Sequence, residues 1–501
     1  MGTQLTESAA DPWHGELSPR RAYKLLIDGE FVEGETGESF TCEYPFTGET
    51  WGQVPVASPG DVDRAVRAAR SAFDGGWSQA KPKERAALLR RLAELIADDA
   101  ENLALLQVHE NGKLSSEMRA VVPYIAELTY FMAGLAETVH GYTSQSNLDQ
   151  MVSYTLREPV GVVAAITPWN SPLLLLAYKL MPALAAGNTV VVKPSEVTPN
   201  STLRLGELCV QAGFPPGVVN VVTGFGDPTG RALVDHPLVA HIAFTGSTAT
   251  GQAIAQAAAG RSARVSLELG GKSPNIIFAD ADLDLAVGGV MSGIFSAAGQ
   301  SCIAGSRILV EETVGDEFYA ELARRTAELR LGDPLAASTE IPPVASRAQL
   351  EKVLHYLRIA EADGASPLVG GGRPTTGVLR DGFFVEPTIL TGVRNSDRVA
   401  REEIFGPVGA VIPFKDEDDA VRLANETTFG LGGAIWTESI RRAHRLIPRI
   451  CAGTVWVNTY RALEYRRPFG GFKQSGVGRE LGIDALDEYT ETKSVFINLA
   501  T

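Results

Sequence analysis

Apolar residues in the first third of the chain recur at intervals of three and four. Over residues 61–73 and 83–111 this spacing predicts helices, the second carried by Leu88, Leu89, Leu92, Leu95 and Ile96, and residues 121–138 continue it. Ahead of them, Leu25-Leu-Ile-Asp-Gly-Glu-Phe-Val32 alternates around Asp-Gly, which predicts a small hairpin. Residues 1–20 are polar and contain prolines, the composition of a loosely held tail. From residue 158 the pattern changes. Short apolar runs at 160–166, 189–192, 218–222, 240–244 and 264–267 read as buried strands, separated by helices that start near Pro172, Asn200, Pro228 and Thr248. Such alternation predicts a parallel sheet covered on both faces. Beyond Gly270 a second alternation (275–278, 282–296, 306–310, 316–329) predicts a second α/β domain, and no repeat of 20–50 residues is visible.

Length supports the division, because 501 residues exceed what one hydrophobic core usually serves. Lys and Arg number 45 against 60 Asp and Glu, a formal net charge of −15. That balance argues against nucleic acid as a partner, since neutralising phosphates needs a basic surface. The N-terminus lacks a basic stretch followed by an apolar one, so no signal peptide is expected, and no apolar run is long enough to span a bilayer. Cys42, Cys209, Cys302 and Cys451 are widely spaced and form no C-x-x-C pair, which fits a reducing, cytoplasmic location rather than a disulfide framework. The seven histidines show no metal-ligand spacing.

Three residues carry candidate chemistry. Cys302 lies among small residues in Phe295-Ser-Ala-Ala-Gly-Gln-Ser-Cys302-Ile-Ala-Gly, so a substrate carbon can approach its sulfur. Glu268 ends the apolar run Val265-Ser-Leu-Glu268, and Asn170 follows Thr167-Pro-Trp. Singly, each has a plainer explanation: a buried structural thiol, a solvated strand end, a helix cap. Together, a thiol, a base and an amide donor describe covalent acyl chemistry. No strict G-x-G-x-x-G is present. Two glycine-rich turns, Thr223-Gly-Phe-Gly226-Asp-Pro-Thr-Gly230 and Phe244-Thr-Gly246-Ser247, are either tight turns or phosphate cradles. Gly270-Gly271-Lys272-Ser273 is no P-loop, because Ser266 stands where its first glycine belongs and Pro274 begins a strand.

In order and spacing these segments resemble the NAD(P)-dependent aldehyde dehydrogenase superfamily, from about Leu25 to the C-terminus. Val192-Lys-Pro-Ser-Glu196, Leu267-Glu-Leu-Gly-Gly-Lys-Ser-Pro274, Gly299-Gln-Ser-Cys302, Glu402-Glu-Ile-Phe-Gly-Pro407 and Pro468-Phe-Gly-Gly-Phe-Lys473 carry the match. The resemblance implies an α/β fold with a Rossmann-like cofactor domain (21–142 and 159–270), an α/β catalytic domain (271–470) and a β arm (143–158 and 485–501) joining a homodimer or homotetramer. Cys302 becomes the nucleophile, Asn170 the oxyanion donor and Glu268 the general base for thioester hydrolysis. Coenzyme-A-acylating members lack the equivalent of Glu268, so hydrolysis is expected here. A non-catalytic protein with the same fold is the other alternative, marked by loss of one of the three; none is lost.

The cofactor implied is NAD, with NADP disfavoured by a carboxylate at Glu196, which with Lys193 would hold the adenosine ribose. Trp169 and Ser247 would meet the pyrophosphate, Gly226 and Gly230 would lie beneath the adenine, Glu403 would bind the nicotinamide ribose and Phe405 would pack near the ring. Ile166, Thr245, Gly246 and Leu269 complete the expected cofactor site. The family's substrate funnel maps onto Leu174, Leu175, Tyr178, Ser301, Ile303, Arg461 and Leu463. Its mouth is basic, through Arg461, Arg466 and Arg467 in Tyr460-Arg-Ala-Leu-Glu-Tyr-Arg-Arg467. A guanidinium there favours an aldehyde with an acidic or polar group, such as a semialdehyde. The plainer alternative pairs these arginines with Glu464 or a neighbouring subunit.

Overall fold

The computed structural model describes residues 22–500. The tail expected over residues 1–20, and the outermost expected domain limits at Arg21 and Thr501, lie outside them. An eight-stranded sheet runs in the order Gly476–Val477, Arg264–Glu268, Val239–Thr245, Val162–Ile166, Thr189–Lys193, Val219–Val221, Leu25–Ile27, Glu30–Val32. The five strands between 162 and 268 are parallel. The expected hairpin adds antiparallel at one edge and Gly476–Val477 antiparallel at the other.

The apolar strand Val-Val-Ala-Ala-Ile and the strand Thr-Val-Val-Val-Lys, with its three central valines, are buried on both faces. Alternate residues divide between two cores. Val163, Ala165, Val190 and Val192 pack with the Pro172–Ala186 and Asn200–Ala212 helices, whereas Val162, Ala164, Ile166 and Val191 pack with the Pro59–Asp74 and Thr248–Ala259 helices. The stretch 83–111, expected as one helix, is two: Pro82–Asp98 and Ala100–Asn111. The chain turns at Asp99, whose carboxylate receives the Arg204 guanidinium at 2.8 and 2.9 Å.

A seven-stranded sheet follows Gly270, ordered Ser366–Val369, Thr388–Thr391, Val408–Phe414, Arg307–Glu311, Pro274–Ile277, Gly432–Trp436, Thr454–Val457. Only its first pair is antiparallel. Buried Arg307 pins its centre, donating to the carbonyls of Lys272 (2.9 Å), Leu423 (2.7 Å) and Ala424 (2.7 Å). Met151–Pro159 and Thr490–Asn498 pair antiparallel as a separate ribbon that exposes Val152, Leu156, Phe496 and Ile497. Among the described residues no helix is long and apolar enough to cross a membrane.

Candidate functional site

Three parallel strands end at Ile166, Lys193 and Thr245, and a cavity of about 590 Å³ opens at those ends. This is where an open α/β sheet receives ligands, because helix N-termini and free backbone N–H groups gather there. Trp169, Glu196, Gly226, Gly230, Gly246 and Ser247 complete its wall. A second cavity of about 160 Å³ holds Cys302, Asn170, Leu175, Leu269, Glu403 and Phe405, and Pro168, Trp169, Thr245, Gly246 and Ser247 line both. Every residue expected at the cofactor therefore lines one of two adjoining spaces.

Local chemistry explains several of these placements. The Lys193 ammonium donates to the Pro194 carbonyl at 2.8 Å and lies 4.0 Å from Glu196, whose side chain remains 43% exposed to the cavity. Ser247 caps the Thr248–Ala259 helix, accepting from the Thr250 N–H. Glu403 accepts from the Gly271 N–H at 3.0 Å, and a Cβ on Gly270 would stand 2.7 Å from its other oxygen, so a side chain there would push the carboxylate aside. Phe405 has a left-handed backbone, φ +62°, held by Gln349, which donates to the carbonyls of Ile404 (3.1 Å) and Phe405 (2.7 Å). Its ring meets Trp169 edge-on at 5.2 Å.

The three candidate catalytic groups are constrained by their surroundings. Burial, followed by the Glu403 and Glu268 charges, pushes the Cys302 thiol up to about 12, and the Arg461 cation opposes them. The Asn170 amide does not cap a helix; its Nδ2 donates to the Gln300 carbonyl at 3.0 Å. Glu268 is buried rather than solvated, neither of its oxygens has a hydrogen-bond partner, and it lines neither cavity. Burial first and the Glu480 charge second hold it well above the ordinary carboxylate range, with Lys179 acting the other way. Lys179 pairs with Glu480 and donates to Thr245 Oγ1 at 2.5 Å.

Of the positions expected at the substrate, Leu175 lines the Cys302 cavity. Leu174 and Ser301 are half-buried, Leu463 is exposed, and Tyr178 and Ile303 are buried in the core, where the Ile303 carbonyl accepts from Tyr460 at 2.9 Å. Arg466 and Arg467 face Glu464, Arg467 at 4.0 Å. Arg461 does not. Its backbone is left-handed, φ +61°, and its Nη1 is buried without a partner, within electrostatic reach of Cys302 and Lys113. Gln349 and Lys352, also on the cavity wall, were not anticipated, because the Arg347–Ala362 helix carries no motif. Lys179 and Glu480 were missed too, although a lone lysine inside the apolar Pro172–Ala186 helix was a legible signal.

The profile of the Aldehyde dehydrogenase family matches residues 31–495. An aldehyde dehydrogenase of Aspergillus niger is 44% identical over 476 residues, covering 95% of each chain. Equally similar, at 44% over 481 residues covering 95% of this chain and 97% of the other, is the (Z)-2-((N-methylformamido)methylene)-5-hydroxybutyrolactone dehydrogenase of Acinetobacter baylyi. Among solved structures, betaine aldehyde dehydrogenase of Staphylococcus aureus in complex with NAD+ superposes with a TM-score of 0.96 at 40% identity, covering 97% of both chains.

Proposed function

The chain belongs to the aldehyde dehydrogenase family, and we propose that it oxidises an aldehyde bearing an acidic or polar group to the carboxylic acid, with NAD as oxidant and water as acyl acceptor. One observation carries this: a cysteine, an amide donor and Glu403 share a small cavity that adjoins, through a common wall, one large enough for a nucleotide. The residues suit NAD. Glu196 presents a half-exposed carboxylate suited to ribose hydroxyls and adverse to a 2′-phosphate, and Glu403 offers a second carboxylate at the far end. The betaine aldehyde dehydrogenase of like fold holds NAD+.

Held by Lys193, Glu196 and Glu403, NAD would supply the hydride acceptor. The chain's own groups do the rest. The Cys302 sulfur adds to the aldehyde carbon as thiolate, and the resulting oxyanion accepts from the Asn170 amide and the Cys302 backbone N–H; one such donor contributes about 2.7–4 kcal/mol. Oxidation leaves a thioester on Cys302. Glu268 then removes a proton from water, and attack on the thioester frees the acid and the thiol. A coenzyme-A-acylating role is disfavoured, since it has no use for this carboxylate. Arg461 sets the substrate: a half-buried guanidinium whose Nη1 is buried without a partner, within electrostatic reach of the thiol, attracts an anionic group and repels a quaternary ammonium.

On this reading residues 21–142 and 159–270 hold the cofactor, 271–470 form the catalytic domain, and 143–158 with 485–501 form the arm. The apolar side chains exposed on that arm favour a homodimer or homotetramer, and four unbonded cysteines suit the cytoplasm. The test is NADH production by the purified protein with propanal, benzaldehyde and succinic semialdehyde, with NADP and coenzyme A as comparisons. NAD-dependent release of free acid, fastest with the semialdehyde, is expected. Turnover only with coenzyme A, or none by any aldehyde, would sink the proposal.

A further inference from the structure

The Ala100–Asn111 helix ends in a turn that no part of the mechanism above uses. Gly112 closes it with φ +74°, and a Cβ there would stand 2.8 Å from Pro343 and 3.0 Å from Pro45, so the turn is wedged in place. Its neighbours reach the Pro168–Ser171 segment on either side of Asn170. Asn111 Nδ2 donates to the Trp169 carbonyl at 3.4 Å, and Lys113 Nζ donates to Ser171 Oγ at 2.7 Å. The Lys113 backbone N–H donates to Asn111 Oδ1 at 3.1 Å, which fixes the Asn111 amide to the same turn that carries Lys113. Asn170 itself is fixed at its amide by the Gln300 carbonyl, which orients its second N–H.

Two features make Lys113 hard to explain as packing. It is a buried ammonium, and burying one without a bonded carboxylate is costly. Glu117, the carboxylate that most favours its charge, commits one oxygen to the Ala297 N–H at 3.0 Å and leaves the other without a partner. Ser171 is equally uneconomical as a helix start, because its side chain makes no cap bond to the Pro172–Ala186 helix. Its hydroxyl serves Lys113 instead.

We propose that Lys113 is a positioning residue for the family reaction: with Asn111 it clamps residues 169 and 171, and so fixes where the Asn170 amide meets the oxyanion. This rests on Asn170 being that donor. Misplacing a catalytic donor by about 1 Å can cost on the order of 10²-fold in rate.

Steady-state kinetics of the full chain with propanal and NAD test it through five variants: K113M, K113R, S171A, N170A and the K113M/N170A double. K113M is expected to lower kcat about 10–100-fold while KM for propanal and the binding of NAD stay within about 3-fold, with K113R recovering most of the loss. S171A, which removes only a hydroxyl oxygen, is expected to lower kcat about 3–10-fold and carries the test if K113M does not fold. On the N170A background K113M is expected to add nothing, since its effect passes through that amide. An unchanged kcat in S171A or K113M, or a full additional loss in the double variant, overturns the proposal. An N170A variant with normal kcat instead overturns the oxyanion assignment itself, a different failure.

Discussion

Arg461 offers the sharpest test of substrate choice. Its Nη1 is buried and has no partner, so a substrate carboxylate gains a charge-assisted hydrogen bond there without displacing an existing one. Bonds of that kind contribute roughly 1.5–3 kcal/mol. At about 1.4 kcal/mol per tenfold, R461A is expected to lower kcat/KM for succinic semialdehyde roughly 10–150-fold. Propanal, which has nothing to place against the guanidinium, is expected to change less than about 3-fold. Arg466 and Arg467 supply the internal comparison: their side chains are 65% and 81% exposed and already face Glu464, so R466A and R467A are expected to leave both substrates nearly alone. Initial rates of NADH formation across the four proteins decide the matter. Equal losses for both aldehydes in R461A would refute the argument, and so would a larger effect from Arg467 than from Arg461.

Further expectations concern the base and the cofactor. E268Q is expected to release one equivalent of NADH rapidly and then turn over about 10²–10⁴-fold more slowly, measured by stopped-flow absorbance; unchanged steady-state turnover would remove Glu268 from the mechanism. Glu268 serves as base only when ionised, and burial raises its pKa, so hydrolysis is expected to gain rate with rising pH through that raised value and to lose it on acidification. Lys179 favours the ionised form; K179M is therefore expected to move this limb to higher pH, and to destabilise the protein by about 3–5 kcal/mol by leaving Glu480 unpaired, read by urea unfolding. A pH profile that stays in place in K179M would contradict the electrostatic account. E196Q is expected to narrow the preference for NAD over NADP, seen as a lower KM for NADP; an unchanged ratio would mean that another group excludes the 2′-phosphate.

Much of the fold was legible because its signals are local. Val162–Ile166 and Thr189–Lys193 announce themselves as apolar runs, and the helix after Pro172 begins where proline allows. What stayed hidden depends on distant partners. The break at Asp99 is set by Arg204, about a hundred residues on, and the two-residue strand Gly476–Val477 exists only because Arg264–Glu268 offers it an edge. The site divides the same way. Cys302, Glu268 and Asn170 stand in recognisable motifs, and the glycine-rich turns gained meaning once both proved to line one cavity. Gln349 and Lys352 sit on an ordinary amphipathic helix, and Lys113 follows a common helix-ending glycine; nothing nearby in sequence marks the first two as lining the Cys302 cavity or the third as reaching Ser171. The solvated strand end was a fair alternative for Glu268, because burial of that position is completed by Gly470, whose Cβ would come within 2.7 Å of its oxygen.

The environment of Cys302 has a consequence for the idle molecule. Burial and the neighbouring carboxylates favour the protonated thiol of Cys302, and it is the thiolate that reacts. After burial, the charges that favour the thiol proton are the carboxylates of Glu403 and Glu268, the groups assigned to cofactor and water. Ligands that engage or screen them also relieve the charge that restrains the sulfur. On the proposed assignment, the nucleophilicity of Cys302 is expected to rise when cofactor and substrate are bound.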